Sequence, residues 1–274
     1  MSDSTFDIEM GLLVDAIYLR WHFDFRGYAQ ASLRRRLKAA MGRFSCTTLS
    51  QLQDKVLHEP EFFPALMDYL TVQVSEMFRD PDYFLALRRE VVPLLRTYPS
   101  LKVWVAGCST GEEVYSLAIL LREEGLLERT LIYATDINPQ ALQQAEAGVY
   151  EQDRIAGFTL NHQRAGGKTS LSDYYTAAYG RAVFDKSLRR NVVFSDHSLA
   201  TDSVFAEMQL VSCRNVLIYF DRALQDRALG LFRDALCRKG FLGLGSKESL
   251  RFSACASAFT DFVREQRIFQ KIGG

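Results

Sequence analysis

The residues with the clearest chemical potential lie in VWVAGCSTGEE, residues 103–113, where a β-rich run leads through a loop of small residues into a helix. Gly107 and Gly111 let the backbone turn sharply and approach a ligand closely, and free N–H groups at the helix start would face that ligand. Glu112 and Glu113 suit the helix dipole but not a phosphate, so the loop favours a cationic ligand. An ordinary strand-to-helix turn is the alternative.

Two further groups of polar residues also follow predicted strands. Asp136 ends the strand Leu131–Thr135, where an acidic residue accepts hydrogen bonds from ribose hydroxyls in nucleoside-binding α/β folds. Its alternative role is to cap the next helix. Arg214 and Asn215 follow the strand Glu207–Ser212. Because ligands of open parallel sheets bind beyond the carboxyl ends of the strands, we expect these residues to line one crevice.

The elements that must position these residues alternate strand and helix from about residue 100 onward, which predicts a parallel sheet with crossover helices. Residues 1–70 predict short amphipathic helices and no strand. We therefore expect a helical N-terminal domain over 1–70 and an α/β domain over 71–274. The alternation is lost between Phe158 and Arg190, and Tyr174–Phe184 is typical of an antiparallel ribbon, so we predict an antiparallel insert over about 158–194.

Composition narrows the class of protein. The chain has 274 residues, and its 33 Lys or Arg balance its 33 Asp or Glu. This balance argues against a polyanion binder and, without interleaved basic and aromatic residues, against a nucleic-acid partner. The five cysteines are scattered and no His pair lies near them at zinc spacing, which indicates reduced thiols and no metal site. With no signal peptide and no apolar run of about 18 residues, we predict a cytoplasmic protein without membrane insertion.

Four segments together resemble the glutamate methyltransferases of bacterial chemotaxis receptors, the CheR family. They are VSEMFRD, STGEEVYSLA, ATDINPQAL and CRNVLIYF, and their order and spacing match from about residue 8 to residue 272. The resemblance implies a Rossmann-like S-adenosylmethionine methyltransferase fold with a small antiparallel β-insert, preceded by a small all-α N-terminal domain. The implied reaction methylates glutamate side chains of chemoreceptors in sensory adaptation, with S-adenosylhomocysteine as the product.

The resemblance also implies which residues bind the cofactor. Gln73, Ser75 and Ser198 stand where the family usually has Asn, Thr and Asn, and all three retain hydrogen-bonding ability. The segment GSKESL, residues 245–250, lacks the family's His, so no role of that His carries over. The implied cofactor residues are Gln73, Ser75, Arg79, Gly107, Glu112 or Glu113, Asp136, Ser198, Leu199, Arg214 and Asn215.

The implied chemistry needs no general base, because a glutamate side chain with a pKa of about 4.3 is already ionised at neutral pH. Catalysis would depend on positioning and on exclusion of water. Arg79 is our candidate catalytic residue, orienting the carboxylate of either the substrate or the cofactor's methionine. The alternative for Arg79 is an ion pair with Asp80 or Asp82.

A basic helix is our candidate for docking the receptor. Arg34, Arg35, Arg36 and Lys38 surround the apolar stripe of the helix, and the family implies an acidic partner, the methylation helices of chemoreceptors. A solvated helix face is the alternative.

Some family members also bind a pentapeptide at the receptor C-terminus, using the edge of the β-insert and a glycine-containing loop. The ribbon Tyr174–Phe194 carries a single glycine, Gly180, so we predict that this chain does not bind that peptide. Two other functions remain open: methylation of a different protein, and a catalytically silent cofactor sensor.

Overall fold

The computed structural model describes residues 3–251 and 253–273. Four helices come first and end at Leu70, followed by linker helices joined through a π-helical turn, Leu87–Val91. No helix in the described ranges is long and apolar enough to cross a membrane. The helices of this first part are α1 (Asp3–Trp21), α2 (Gln30–Arg43), α3 (Leu49–His58), α4 (Phe62–Leu70), α5 (Pro81–Ala86) and α6 (Val92–Leu95).

A seven-stranded mixed sheet forms the centre of the second part, with strand order β6-β2-β1-β7-β8-β10-β9. Its first five strands are parallel, and the last two form an antiparallel edge. The main-sheet strands are β1 (Leu101–Ala106), β2 (Thr130–Asp136), β6 (Val192–Asp196), β7 (Met208–Cys213), β8 (Leu236–Leu244), β9 (Phe259–Val263) and β10 (Ile268–Lys271), and the helices among them are α7 (Glu112–Glu123), α8 (Pro139–Ala147), α9 (Ile155–Arg164) and α10 (Arg222–Ala235).

Both faces of the sheet are covered, which explains why β1 is an almost unbroken apolar run. Successive side chains of a strand point to opposite faces. Trp104 packs in the core that the sheet shares with the N-terminal helices, whereas Val103 packs in the core beneath α7. The helical domain is therefore fixed against one face of the sheet.

A second, three-stranded antiparallel sheet consists of β3 (Val149–Glu151), β5 (Arg181–Phe184) and β4 (Tyr175–Ala178), in that order. The all-α domain, the mixed sheet and this small sheet confirm the predicted fold class. The predicted bounds of the insert, about 158–194, need correction at both ends. β3 precedes them, and β6 belongs to the main sheet because it pairs in parallel with β2.

Helix α2 also departs from the prediction. Leu33 and Leu37 are buried as its periodicity predicts, and Arg35 and Lys38 are exposed. Arg36, however, is only 7% exposed, so assigning it to an external docking face is wrong. It lies beside the apolar stripe, at the three-residue spacing from Leu33 that shares a helix face.

Candidate functional site

One crevice opens at the carboxyl ends of β1, β2 and β7, where the strand order of an open parallel sheet places ligand sites. The segment between α4 and α5 covers one side, and residues of the N-terminal domain line the far end. Ten predicted residues line this crevice: Gln73, Ser75, Arg79, Gly107, Glu113, Asp136, Ser198, Leu199, Arg214 and Asn215.

The loop after β1 owes its shape to its glycine at the strand end. Gly107 has a φ of +74°, and a Cβ built there would lie 2.4 Å from Cγ2 of Val216. A larger residue would push apart the two loops that line the crevice, so glycine is required here. The next residues hold the loop in place, since the Ser109 N–H donates to Oδ2 of Asp136 at 2.8 Å.

Asp136 links this loop to the end of β2. Its Oδ1 accepts the N–H of Asn138 at 2.9 Å, so each carboxylate oxygen already holds one backbone amide. Burial raises the pKa of Asp136, and the backbone hydrogen bonds from Asn138 and Ser109 oppose that rise. Asn138, not Asp136, caps α8, by accepting the N–H groups of Gln140 and Ala141. Asp136 thus keeps lone pairs for a ligand in the crevice.

The two adjacent glutamates of α7 have different surroundings. Glu113 lines the crevice, and its Oε1 accepts the Ser212 hydroxyl at 2.6 Å. Glu112 is fully buried on another side of the helix, 2.8 Å from the Arg154 guanidinium. The structure therefore favours Glu113 as the cofactor residue, because consecutive helical residues point about 100° apart.

Arg214 is buried and already engaged. Its guanidinium pairs with Asp80 at 2.8 Å and with Glu113 at 3.2 Å, and it lies 4.1 Å from the ring centre of Tyr83. These contacts suit a residue that holds Glu113 in place more than one that grips a ligand. Asp80, one of the two possible ion-pair partners of Arg79, is thus already paired with Arg214.

The segment 71–79 forms the side of the crevice opposite the sheet. Gln73 accepts the Ser109 hydroxyl, and the Ser75 carbonyl accepts the Arg154 guanidinium. Arg79 lines the crevice, and its Nη1 contacts the Val74 carbonyl at 3.4 Å. The segment is thus tied to the strand-end loop at one position and to the start of α9 at another.

Glu248 is the residue that sequence reasoning missed. It is 4% exposed, and its two oxygens accept four backbone N–H groups at 2.6 to 3.0 Å. Burial raises its pKa, and these hydrogen bonds oppose the rise. The donors belong to Gly245 and to residues 215–217. Glu248 therefore fixes the loop that carries Asn215 and Val216 into the crevice.

The crevice suits a cationic nucleoside better than nucleophilic or metal catalysis. Burial raises the pKa of the Cys108 thiol well above its usual range, so this thiol stays protonated. His197 packs edge-on against Trp104, and its Nε2 lies 3.2 Å from the Ser203 carbonyl. Within residues 3–251 and 253–273 no group of three or more His, Cys, Asp or Glu could hold a metal ion. Glu113 and Asp136 supply negative charge, and Gly107 allows close approach.

Comparison with known proteins agrees with this geometry. Residues 8–71 match the family described as "CheR methyltransferase, all-alpha domain", and residues 73–267 match "CheR methyltransferase, SAM binding domain". The predicted cofactor, S-adenosylmethionine, is confirmed. Every predicted cofactor residue falls within the second match.

Individual proteins are similar over most of the chain. A Pseudomonas putida protein, "Putative methyltransferase Cher3", is 62% identical over 270 residues, 98% of this chain and 99% of that protein. The "Chemotaxis protein methyltransferase" of Vibrio parahaemolyticus is 31% identical and covers 81% of this chain and 82% of its own. Among solved structures, the N-methyltransferase NodS of Bradyrhizobium japonicum, with S-adenosylhomocysteine, has a TM-score of 0.35, 14% identity and 62% coverage of each chain.

Proposed function

Because this chain belongs to the CheR methyltransferase family, we propose that it transfers a methyl group from S-adenosylmethionine to glutamate side chains of bacterial chemoreceptors in the cytoplasm. The observation that carries the proposal is the convergence of ten family-matched positions on one crevice, with Glu113 and Asp136 in its wall. The roles of these residues are part of the proposal.

The residues present suggest how the crevice would work. When bound, S-adenosylmethionine supplies a methyl group on a positively charged sulfur, and transfer to a carboxylate oxygen leaves a neutral ester and a neutral thioether. Asp136 would accept hydrogen bonds from ribose hydroxyls, and Glu113 would stabilise positive charge. Arg79 would orient a carboxylate. Gln73, Ser75, Ser198, Leu199 and Asn215 would enclose the cofactor and exclude water.

A labelling experiment separates the three functions that the sequence left open. The purified protein would be incubated with methyl-labelled S-adenosylmethionine and a bacterial lysate. A receptor-sized band that loses its label in mild base supports receptor methylation. A base-labile band of another size would replace the receptor with a different protein, and no labelled band would indicate a cofactor sensor.

Docking of the receptor should depend on the exposed cations of α2. Arg35, Lys38 and Arg43 are exposed, whereas Arg34 is partly buried and pairs with Asp7. We expect the double variant R35E/K38E to slow methylation of whole receptors about 10-fold at low salt, because complementary charge mainly raises the association rate. Affinity for S-adenosylhomocysteine should not change.

The matched control reverses two exposed cations elsewhere, Arg89 and Lys102, for the same change in net charge. Methylation rates would be measured at several salt concentrations. Equal effects of both double variants, or no effect of either, would leave the solvated-face interpretation of α2 in place.

The receptor's C-terminal pentapeptide should not bind. The β4–β5 hairpin turns directly at Tyr179 and Gly180, so no glycine-rich loop separates its strands. To bind, the peptide would have to add as an extra strand to the edge of the small sheet, with pockets for its alternate side chains. Titration of the peptide into the protein, followed by calorimetry, should give no heat at micromolar concentrations. A clear micromolar isotherm would show that the short hairpin suffices.

A further inference from the structure

Arg36 is a buried cation with unused hydrogen-bonding capacity at the N-terminal end of the crevice. Only 7% of the residue is exposed, and it lines the crevice together with Tyr28 and Tyr219. Its Nη1 donates to the Leu70 carbonyl, while Nε and Nη2 have no hydrogen-bond partner. Its guanidinium lies over the Tyr219 ring, 4.5 Å from the ring centre.

The surroundings of Arg36 do not supply a counter-charge. Asp24 also lines this end, but its carboxylate is engaged by Arg26 at 2.8 and 2.9 Å. Among the described residues, no carboxylate lies within ion-pair distance of Arg36. Burial lowers the pKa of Arg36, yet guanidinium is so weak an acid that the side chain stays protonated. A buried, uncompensated cation destabilises a fold, which makes this arrangement costly without a ligand.

We propose that Arg36 receives the side-chain carboxylate of the substrate glutamate. This inference rests on the proposed function and names the group that selects its substrate. Guanidinium is the side chain best matched to a carboxylate, since its planar fork can donate two parallel hydrogen bonds. The Tyr219 ring packs against one face of the Arg36 guanidinium. The N–H groups lie in the guanidinium plane and therefore point away from that ring, where a carboxylate can accept them.

The position of Arg36 favours the substrate over the cofactor's own carboxylate. Arg36 belongs to the all-α domain, whereas the matched cofactor domain begins at residue 73 and contains Arg79. Arg36 would thus bind the carboxylate of the substrate, and Arg79 would bind the carboxylate of the cofactor's methionine. Arg36 would also distinguish an ionised glutamate from glutamine and from the methyl ester product, because neither of these carries a negative charge for Arg36 to pair with.

The experiment compares Arg36→Met with Arg89→Met, which removes an exposed arginine outside α2. We expect Arg36→Met to lower kcat/KM for receptor methylation about 100-fold, because truncating one partner of a buried charge pair has effects of this size. The Kd for S-adenosylhomocysteine should stay within about 3-fold. Tm should be at or above that of the wild type, since the variant removes an uncompensated charge. Arg89→Met should keep most activity.

A second readout does not require that receptors be the substrate. N-acetylglutamate and N-acetylglutamine would be titrated into the protein loaded with S-adenosylhomocysteine, with binding followed by NMR. The wild type should bind the acid at least about 10-fold more tightly than the amide, and Arg36→Met should lose that preference.

The outcomes separate the two proposals. If the wild type methylates no receptor but shows the acid preference, the proposed function fails and the role of Arg36 stands. If Arg36→Met binds the acid as well as the wild type does, the role of Arg36 is overturned. A loss of affinity for S-adenosylhomocysteine as large as the loss of activity would also overturn it, by assigning Arg36 to the cofactor.

Discussion

Replacing Glu248 by glutamine will lower the free energy of unfolding by about 3 kcal/mol and weaken S-adenosylhomocysteine binding at least ~10-fold. Each oxygen of Glu248 accepts two backbone N–H groups, all of them buried or partly buried. The amide nitrogen of glutamine cannot accept, so two donors lose their partners at about 1 to 3 kcal/mol each. Because three of the four donors belong to residues 215–217, the loss should also move Asn215 in the crevice. Thermal unfolding and calorimetry would measure the two effects.

Glu123 provides the matched control. Its carboxylate is also buried and accepts several donors, including His162 at 3.0 Å and Thr169 at 3.4 Å, but it does not line the crevice. Burial alone would raise its pKa, but the His162 hydrogen bond and the Arg88 charge outweigh burial and hold the pKa at about 2. Glu123→Gln should therefore lower Tm without changing cofactor affinity. If both variants weaken binding equally, Glu248 acts through general stability and not through its loop.

Asp136→Asn should weaken S-adenosylhomocysteine binding about 100-fold. The amide nitrogen of asparagine cannot accept, so the variant releases either the Ser109 or the Asn138 N–H. It also removes the charge that we propose accepts the ribose hydroxyls. Calorimetry would give the affinity. The control is Asn138→Ala, which removes the cap of α8 and should lower stability by about 1 kcal/mol with binding nearly unchanged. Unchanged affinity in Asp136→Asn would remove Asp136 from the site.

The fold was largely predictable because its central elements have strong local signals. Apolar runs followed by small or polar residues predicted β1, β2 and β7 within one or two residues of their observed ends. Since parallel strands end at the same edge, the convergence of their polar residues followed from topology alone. The insert was less predictable: β3 has only three residues, and β6 has the same apolar pattern whichever sheet it joins.

The site was less predictable, because its details depend on contacts between distant segments. Sequence alone left Glu112 and Glu113 equivalent, and only the packing of α7 buries the first and exposes the second to the crevice. The burial of Arg36 had a local signal, its spacing of three residues from Leu33 and of four from Ala40, which the run of neighbouring cations obscured. Glu248 had none, since three of its four donors lie about 30 residues away along the chain.

Mass spectrometry of a purified chemoreceptor cytoplasmic fragment, after incubation with this protein and S-adenosylmethionine, tests the central proposal most directly. We predict an added mass of one methylene per modified site, located on glutamate side chains, removed by mild base and absent when Asp136→Asn replaces the wild type at limiting cofactor. An unmodified receptor fragment, with cofactor binding intact in the same preparation, would contradict the proposal that chemoreceptor glutamates are the substrate.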